Sequence, residues 1–591
     1  MKKVIGLVLV MIMVLSVTAC SGGNQSDDSG ASSDATESSS PIKSDSSSST
    51  DSSSTDTAAD PWANFDPMTP YGAYPETIVV TAGRITGANS NFPAGDNVES
   101  NALTRWLNEE LNMQYKVLWE VEQSEFTNKL SLNIAAGDVP DMIPLNFAEY
   151  LLFRSLVNNG LAADLWESYE KCANDYFKEI IESYDYECFA PFNIDGKQYA
   201  IAGGQYAYEH NLLWVRQDWM DACGLEMPKT IEDIEHVLVT FQEKQPGGNA
   251  PLGLPMDAAD PVGGYNHNIT CGPILYATGG SPKTWTRDEN GEVIYGSLLP
   301  GMKDGLAILA DWYSRGLVDK QFVTRTAPGA GAESLVVGGE VGIWFAPWWL
   351  GYTITEFPAV NPGVEINCAS APLTTDGKGK FRHSWPAPAG DMVIMNANYP
   401  HPEVAIKIIN LSFDITRQLD QELYDRVLKE TRESTTGWHS IYPAGGFNLV
   451  GLHAIAKGGL DTRNYILNNG QLPEDFNPVT DNTNMWESAK SWIETHELEG
   501  MNWVDYVCRY LGAWETYNDI SFSEPVKPVF SYATDSMANL KANLDKLELE
   551  MYVSIIMGEK PVDYFDEFVL QWKAQGGDTI TAEVKALVDQ N

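Results

Sequence analysis

The chain has 591 residues, of which 43% are apolar and 18 are Trp, and its formal net charge at pH 7 is -43. This length is far more than one hydrophobic core needs, so the sequence predicts two or more lobes. So strong a negative charge repels phosphate backbones and therefore excludes nucleic acid as a partner.

The first residues have the pattern of a secretory signal. Met1-Lys2-Lys3 is basic, and Val4 to Val17 is an apolar run that is too short to span a membrane comfortably. We therefore expect residues 1–19 to be a signal peptide. The stretch that follows is rich in Ser, Asp and Thr and has too little apolar surface to fold, so residues 20–60 are expected to form a disordered tether.

Cys20 ends the sequence Val17-Thr18-Ala19-Cys20, which resembles a bacterial lipobox. The resemblance implies cleavage before Cys20 and attachment of a lipid to its sulfur. An ordinary signal peptide with a chance cysteine is the alternative. Since no later segment has a long apolar run without charges, we expect contact with the membrane through the lipid anchor only.

Strands and helices alternate after residue 61, as in a parallel sheet. The first strand is predicted at Thr77 to Ala82, and Asp96 is the predicted cap of the helix that follows it. Arg84 and Asn89 lie in the polar loop between these two elements. Asn146 follows a later strand, and ligands of open α/β sheets bind at the carboxyl ends of strands. Asn146 has an equally good interpretation as a helix cap.

The central segment runs from Asp195 to Leu225 and reads as a turn, a strand, a flexible crossing, a second strand and a helix. Gly203 and Gly204 interrupt the first strand, where glycine lets the backbone bend at low cost. The second strand is the apolar stretch Leu212 to Arg216, and Gly224 closes the helix.

This segment, with "D-G-K-x-Y-x-I" followed by "W-V-R-x-D-W-x-x-x-x-G-L-x-x-P-x-T", is similar to the lobe crossing of extracellular solute-binding proteins. These are the receptor subunits of ABC importers. Ala136 to Asp141, "A-G-D-x-P-D", resembles the start of the third strand in that family. Ile555 to Gly577 resembles the C-terminus of its larger Gram-positive members. The similarity covers nearly the whole chain, although residues 451–541 match no specific motif.

The resemblance implies an α/β, two-lobed periplasmic-binding-protein-like fold of type II with a hinge between the lobes. We assign residues 61–205 and 391–450 to the first lobe. Residues 206–390 form the first part of the second lobe. Residues 451–591 are expected to add mainly second-lobe structure and C-terminal helices.

An aromatic cluster is the most informative chemical feature. Glu340 to Trp349 reads as a short strand that runs into Pro and then into Trp348 and Trp349, and it is similar to the family's "G-P-W" turn except that Ala346 replaces Gly. In that family the Trp after Pro stacks on a sugar ring, which suits the large rigid face of indole. The alternative is that one of the two Trp is simply core.

Five further residues are candidates for ligand contacts. Tyr208 and Glu209 lie on the crossing, where the resemblance implies a ligand-binding glutamate. Tyr265 lies in the long Gly- and Pro-rich loop that follows, and Trp385 precedes the predicted return strand. Trp438 lies in a polar stretch, where an exposed ring and a loop anchor are equally good interpretations.

Neither a metal site nor a cofactor is expected, because no CxxC, CxxH, HExxH or phosphate-binding loop is present. Asp288 to Gly291 resembles the start of a calcium loop, but the rest of that spacing is missing and a hairpin turn is the better interpretation. Whether a structural calcium binds stays open. Cys172 and Cys188 are the closest cysteine pair, so a disulfide and buried free thiols both remain open.

The resemblance implies a lipid-anchored substrate-binding subunit of an ABC importer that captures a carbohydrate and delivers it to its permease subunits. Its 18 Trp favour an oligosaccharide ligand. We expect a monomer on the extracellular face of a bacterial, Gram-positive membrane, without catalytic residues. A lipid-anchored glycan-active enzyme and a peptide-binding receptor of the same fold are the alternatives.

Overall fold

The computed structural model describes residues 61–85, 92, 94–205, 207, 210–248, 251–263, 269–325, 331–387, 389–429 with a gap at 417–419, 451–472 and 483–589. Residues 61–591 form one compact unit. Its strands are β1 (Ile78–Ile85), β2 (Met113–Val121), β3 (Met142–Leu145), β4 (Asn193–Ile194), β5 (Lys197–Gln198), β6 (Ile201–Gly204), β7 (Asn211–Arg216), β8 (Trp285–Arg287), β9 (Val293–Tyr295), β10 (Ile343–Pro347), β11 (Ile366–Ala369), β12 (Phe381–Ser384), β13 (Ala389–Met395) and β14 (Ser523–Val526).

Helices make up most of the remaining regular structure. They are α1 (Ala102–Leu111), α2 (Gln123–Ala136), α3 (Tyr150–Asn158), α4 (Trp166–Cys172), α5 (Asp175–Ser183), α6 (Gln217–Cys223), α7 (Ile231–Lys244), α8 (Gly272–Ala277), α9 (Pro300–Arg315), α10 (Glu333–Val337), α11 (Phe357–Val360), α12 (Val404–Thr416), α13 (Gln421–Tyr424), α14 (Ala454–Leu467), α15 (Thr483–Thr495), α16 (Asn502–Asp505), α17 (Trp514–Asp519), α18 (Met537–Ile556), α19 (Tyr564–Trp572) and α20 (Asp578–Val588). Tyr506–Ala513 is a π-helix that joins α16 to α17.

The first lobe is built on a sheet of order β2-β1-β3-β13-β6. β1 is parallel to β2 and β3, as the alternation of strands and helices predicts, whereas β13 runs antiparallel to β3 and β6. One hydrophobic core covers this sheet, and its buried residues span 74–202 and 389–427. The return strand β13 therefore brings the chain back into the first lobe.

The second lobe is organised around the sheet β10-β7-β11, in which both neighbours of β7 are antiparallel to it. Every residue of β7 is buried. Successive side chains of a strand point to opposite faces, so Leu213 and Val215 enter one core while Leu212 and Trp214 enter another. We call these the main core and the side core. Both faces of this sheet are thus covered.

The C-terminal third of the chain, which carried no recognisable motif in residues 451–541, supplies the covers of this second-lobe sheet. Residues 455–513 contribute to the side core, and residues 530–584 contribute to the main core. The π-helix packs closely against the end of β10, because a Cβ atom added to Gly512 would lie 2.5 Å from the backbone oxygen of Trp348. A larger residue at 512 would separate the π-helix from the sheet.

The two lobes are joined by short chain segments. One leaves β6 of the first-lobe sheet and reaches β7, and a second runs from β12 to β13. Near a third segment, Tyr532 packs against both the first-lobe core and the main core, with its ring 4.8 Å from that of Tyr150. Strands that link two lobes at few points are the usual arrangement for hinge closure.

Local details confirm some sequence predictions and correct one. α2 and α6 end at Gly137 and Gly224, both at positive φ, and Thr230 caps α7 with a capping box. The helix predicted after Asp96 is capped by Asn101 instead, because the Asn101 side chain accepts hydrogen bonds from the backbone at both Leu103 and Thr104. Asp96 forms an ion pair with Arg105.

The six cysteines in the described part are Cys172, Cys188, Cys223, Cys271, Cys368 and Cys508, and each is a buried free thiol. The open choice for Cys172 and Cys188 is therefore resolved in favour of free thiols. Among the described helices, none combines the length and the apolar character needed to cross a membrane.

Candidate functional site

Trp348 and Trp349 lie at the end of the second-lobe sheet that faces the lobe crossing. β10 ends at Pro347, which pairs with Asn211, the first residue of β7 after the crossing. Trp348 is only 5% exposed, whereas Trp349 is half-buried. Of the two predicted stacking residues, Trp349 offers the more accessible ring.

One face of the Trp348 ring is covered by a cation from the C-terminal third. The guanidinium carbon of Arg509 lies 4.8 Å from the ring centroid, within the range of a cation–π interaction. The Arg509 Nε atom is buried and finds no hydrogen-bond partner among the described residues. The Arg509 guanidinium therefore lies beside Trp348, and its Nε–H donor has no acceptor among the described residues.

Trp385 and a second cation lie together at the junction of the lobes. β12 and β14 are parallel, and Ser384 pairs with Val526 at their carboxyl ends. The next residue on each strand is Trp385 and Lys527, and the Lys527 Nζ atom lies 4.9 Å from the Trp385 ring centroid. β13 of the first lobe begins at Ala389, four residues after Trp385, so this pair lies close to where the two lobes meet.

On the first-lobe side, Asn146 lies next to the return strand. Leu145 pairs with Met392 in antiparallel register, which places Asn146 beside Asp391. Asn146 is the N-cap of a 3-10 turn, and its backbone N–H donates to Glu149 Oε2 at 3.1 Å. Asn146 thus occupies the cap position, but its buried Oδ1 atom has no hydrogen-bond partner among the described residues. The half-buried side chain lies at the carboxyl end of β3, and the choice between a cap and a ligand contact stays open.

Two carboxylates accompany Asn146. Burial raises the pKa of Glu149, and the nearby charge of Asp391 raises it further. Burial also raises the pKa of Asp391, although its side chain remains accessible to solvent. A group that is both surrounded by protein and open to solvent lies in a concave surface, which is where ligands bind.

Arg84 lies at the same edge of the first-lobe sheet. It is the residue before the end of β1, and β1 neighbours β3, which ends just before Asn146. Arg84 is half-buried beside Tyr115, whose pKa is raised by burial while the positive charge of Arg84 opposes that rise. The sequence placed Arg84 in the loop after a strand that ends at Ala82, but β1 continues to Ile85 and includes Arg84. Asn146 follows β3 directly, as predicted, so the two residues lie at the ends of neighbouring strands.

The remaining predicted residues, Cys20, Asn89, Tyr208, Glu209, Tyr265 and Trp438, lie outside the described residues. Their roles stay predictions.

Sequence reasoning missed four residues of this region: Lys527, Arg509, Glu149 and Asp391. The only available signal for Asp391 was its position at the start of the return strand. Lys527 and Arg509 come from residues 451–541, which resemble no motif, and their contacts join residues far apart in the chain.

In the part of the chain that the structure describes, the candidate site shows no feature that calls for a metal ion. Among the described residues, no group of three or more His, Cys, Asp or Glu side chains could hold one. Asp288 instead begins the turn of the β8–β9 hairpin, where its Oδ1 atom accepts backbone hydrogen bonds from Asn290 and Glu292 at 2.9 Å each. The hairpin prediction is confirmed.

Aromatic rings, carboxylates and cations at the junction of two lobes are typical of a ligand-binding cleft. A family model described as bacterial extracellular solute-binding protein matches residues 102–413. The match covers more than half of the chain, which therefore belongs to this family.

Individual relatives share only limited sequence identity with this chain. The fructooligosaccharide ABC transporter substrate-binding protein FusA of Streptococcus pneumoniae is 25% identical over 214 residues, which is 34% of this chain and 39% of FusA. Lipoprotein LipO of Bacillus subtilis is 25% identical over 256 residues, 42% of this chain and 47% of LipO. In both cases the match spans less than half of the relative. The polygalacturonan/rhamnogalacturonan-binding protein YtcQ of Bacillus subtilis is 22% identical over 488 residues, 81% of this chain and 86% of YtcQ.

Solved structures share the fold. FusA in complex with kestose has a TM-score of 0.57 at 16% identity, covering 87% of this chain and 99% of that one. The alginate-binding protein AlgQ2 has a TM-score of 0.54 at 17% identity, covering 88% and 100%. An extracellular solute-binding protein from Bifidobacterium longum subsp. infantis gives 0.56 at 14% identity, covering 87% and 98%. The chain thus has the α/β, two-lobed type II fold that the sequence predicts.

Proposed function

We propose that this protein is the substrate-binding subunit of an ABC importer, and that it captures an oligosaccharide between its two lobes and delivers it to permease subunits. The observation that carries the proposal is the junction of the lobes, where the half-buried rings of Trp349 and Trp385 lie near polar groups from both sides. Indole faces stack on the apolar C–H faces of sugars, and polar side chains bind the hydroxyls.

Closure of the lobes would distinguish the ligand-bound protein from the empty protein. A ligand can shift an equilibrium between open and closed forms only if it binds the closed form better. Here Arg84, Asn146 and Asp391 belong to the first lobe, while Trp349 and Trp385 belong to the second or to its edge. A ligand that touches both sets stabilises the closed form, which the permease would recognise.

The names of the relatives support the carbohydrate class. FusA is named for fructooligosaccharides and YtcQ for polygalacturonan and rhamnogalacturonan. Within this proposal Asn89, Tyr208, Glu209, Tyr265 and Trp438 remain candidates for further ligand contacts. The lobe boundaries at residues 205, 390 and 450 are likewise proposed.

Binding is favoured over catalysis. Most glycoside hydrolases place two carboxyl groups on either side of the scissile bond. Glu149 and Asp391 both belong to the first lobe and lie beside each other, so they would approach a ligand from one side. This arrangement suits hydrogen bonding to hydroxyls, and we propose that the protein is not an enzyme.

Tryptophan fluorescence of the purified full chain in detergent, titrated with neutral and acidic oligosaccharides, tests this function. We expect a saturable change with at least one glycan, weakened in Trp385→Ala, and recovery of the glycan at its original length by mass spectrometry. A shortened glycan would instead establish an enzyme. A response to oligopeptides but to no glycan would establish a peptide receptor.

The proposed anchor has its own test. We propose that Cys20 carries a lipid that holds the monomeric protein on the extracellular face of a Gram-positive membrane. Cells that express the chain would be labelled with an alkyne-tagged palmitate. Label on the wild type and on Cys172→Ser, with none on Cys20→Ser, is expected. Equal labelling of Cys20→Ser would refute the anchor.

A further inference from the structure

A buried histidine links the two strands that lead to Trp385 and Lys527. His383 lies in β12 and is 3% exposed. Its Nε2 atom is 2.6 Å from the Oγ atom of Ser523, the first residue of β14, and its Nδ1 atom is 2.7 Å from the backbone oxygen of Ser384. One side chain therefore contacts both strands close to the ligand site.

The contact with Ser384 acts on the backbone that precedes Trp385. The Ser384 oxygen belongs to the peptide group that joins these two residues, and a peptide group is planar. A hydrogen bond to this oxygen thus limits the rotation of the plane from which Trp385 begins. The ring centroids of His383 and Trp385 are 6.5 Å apart, so the histidine also lies near the indole itself.

Packing and proton placement fix the His383 ring. Its centroid lies 4.9 Å from that of Phe381 and 4.3 Å from that of His210. Burial, together with the neighbouring His210, holds the pKa of His383 well below its ordinary value of 6.5. A neutral imidazole donates from one nitrogen and accepts at the other. Because the Ser384 carbonyl only accepts, Nδ1–H donates to it, and the Ser523 hydroxyl donates to Nε2.

The backbone alone holds these strands weakly. β12 and β14 form a two-stranded sheet of four residues each, and a single pair of strands is marginally stable by itself. The hydrogen bond between His383 and Ser523 adds a side-chain link across this pair. The register of the pair is the one that places Trp385 next to Lys527.

We infer that His383 and Ser523 are positioning residues of the ligand site, which hold the Trp385 ring in the orientation that meets the ligand. The inference rests on the proposed function, and it adds two residues that act through Trp385 without contact with the ligand. A ring that is already oriented loses less conformational freedom on binding. Loss of the link should therefore weaken binding while the ring itself remains present.

Ser523 is the residue to change, because its substitution removes one contact and leaves the enclosed histidine ring in place. Ser523→Ala deletes the hydroxyl, whereas Ser523→Thr keeps it. Ser521→Ala is the matched control. It deletes a nearby exposed hydroxyl that donates to the backbone oxygen of Asn518 at 3.2 Å.

The first measurement needs no ligand. The full chain in detergent would be labelled with fluorotryptophan and observed by fluorine NMR, with Trp385→Phe and Trp349→Phe used to assign the two signals. We expect Ser523→Ala to shift or split the Trp385 signal and to leave the Trp349 signal in place. The spectra of Ser523→Thr and Ser521→Ala should match that of the wild type.

The second measurement is a calorimetric titration with kestose, a neutral probe, and with oligogalacturonate, an acidic one. For each probe that binds the wild type, Ser523→Ala should bind about fivefold more weakly, because the Trp385 ring must then be ordered on binding. The affinities of Ser523→Thr and Ser521→Ala should match that of the wild type.

An unchanged Trp385 signal in Ser523→Ala would overturn the inference, whatever the affinity. Equal changes at Trp385 and Trp349, or the same change in Ser521→Ala, would mean a general loss of structure and would also overturn it. A displaced Trp385 signal with unchanged affinity would overturn the role in binding. If no glycan binds the wild type, the proposed function fails, and the fluorine spectra alone decide whether Ser523 orients Trp385.

Discussion

The first lobe places carboxylates beside the crossing strands, whereas the second lobe places cations on aromatic rings there. Glu149 and Asp391 come from one sheet and its adjoining turn. In the second lobe, Trp348 and Trp385 come from strand ends, but their cations come from the C-terminal third. The two lobes therefore present side chains of opposite charge near the strands that join them.

The lobes also differ in how their sheets are supported. The first-lobe sheet belongs to one core, but the second-lobe sheet separates the main core from the side core. Residues of the C-terminal third must therefore pack before the second-lobe side of the cleft is complete. Stability and binding should respond differently to substitutions on the two sides.

The largest expected effect is on folding, at Trp348. This ring is 5% exposed, and Arg509 and the backbone of Gly512 pack against Trp348. Removing a buried Trp costs about 3–5 kcal/mol, so Trp348→Ala should lower the midpoint of urea unfolding strongly. Trp349→Ala, at a half-buried neighbour, is the control and should shift the midpoint much less. Equal shifts would show that Trp348 is not an anchor of the side core.

A second effect concerns pH and a buried pair beneath the crossing. His210 Nε2 and Asp519 Oδ2 are 2.7 Å apart, and both side chains are inaccessible to solvent. Burial raises the pKa of Asp519 from 3.8 to about 8. Because protonated Asp519 is favoured in the folded state, its stabilising contribution is complete below pH 3.8 and is lost as the pH rises through about 8.

His210 has the opposite sign, since burial lowers its pKa from 6.5, and its contribution is complete once the pH exceeds 6.5. Between pH 6.5 and about 8 only the loss from Asp519 remains, amounting to about 2 kcal/mol. Asp519→Asn should remove this part of the pH dependence in thermal unfolding measured at both pH values. If the variant and the wild type lose stability in parallel, Asp519 is already ionised at pH 6.5.

The contrast between the lobes predicts a smaller effect on binding. Asp391→Asn removes a charged acceptor from the first-lobe side and should weaken binding about tenfold, through the loss of hydrogen bonds to hydroxyls. The loss should be similar for an acidic glycan and its neutral methyl ester, because the hydrogen bonds that are lost go to hydroxyls present in both. Asp376→Asn, in an exposed turn, is the matched control. A loss restricted to the acidic glycan would show that Asp391 does not act through those hydroxyls.

The sequence predicted those parts of the cleft that local patterns specify. Asn146 follows from the rule that ligands bind at the carboxyl ends of strands. Arg84 was chosen from a polar loop, and Trp348 and Trp349 from a strand that runs into Pro and resembles the family's turn. The two Trp differ in solvent exposure, because the π-helix packs against Trp348. No periodicity in the sequence predicted this π-helix. Lys527 reaches Trp385 only because β12 and β14 pair in register, and strand pairing across a long stretch of chain leaves no local trace.

The smallest predicted effect compares two helix caps, one in each lobe. Thr230, recognised from sequence, caps α7, whereas Asn101, which was missed in favour of Asp96, caps α1. Replacing an N-cap by Ala costs about 1 kcal/mol. Asn101 is 1% exposed and its Oδ1 atom accepts two backbone N–H groups, so Asn101→Ala leaves buried donors unsatisfied and should cost more than Thr230→Ala.

The comparison is made by urea unfolding, with Asp96→Ala as the control. Asp96 pairs with Arg105 at 2.7 Å, and Arg105 is about half exposed, so the loss of that pair should cost at most about 1 kcal/mol. A larger shift for Asp96→Ala than for Asn101→Ala would mean that Asp96 does hold the start of α1 in solution. The expected order is Asn101, then Thr230, then Asp96. Asn101 accepts from two buried backbone N–H groups, Thr230 from one exposed backbone N–H group, and Asp96, within the described residues, only from the exposed Arg105 side chain.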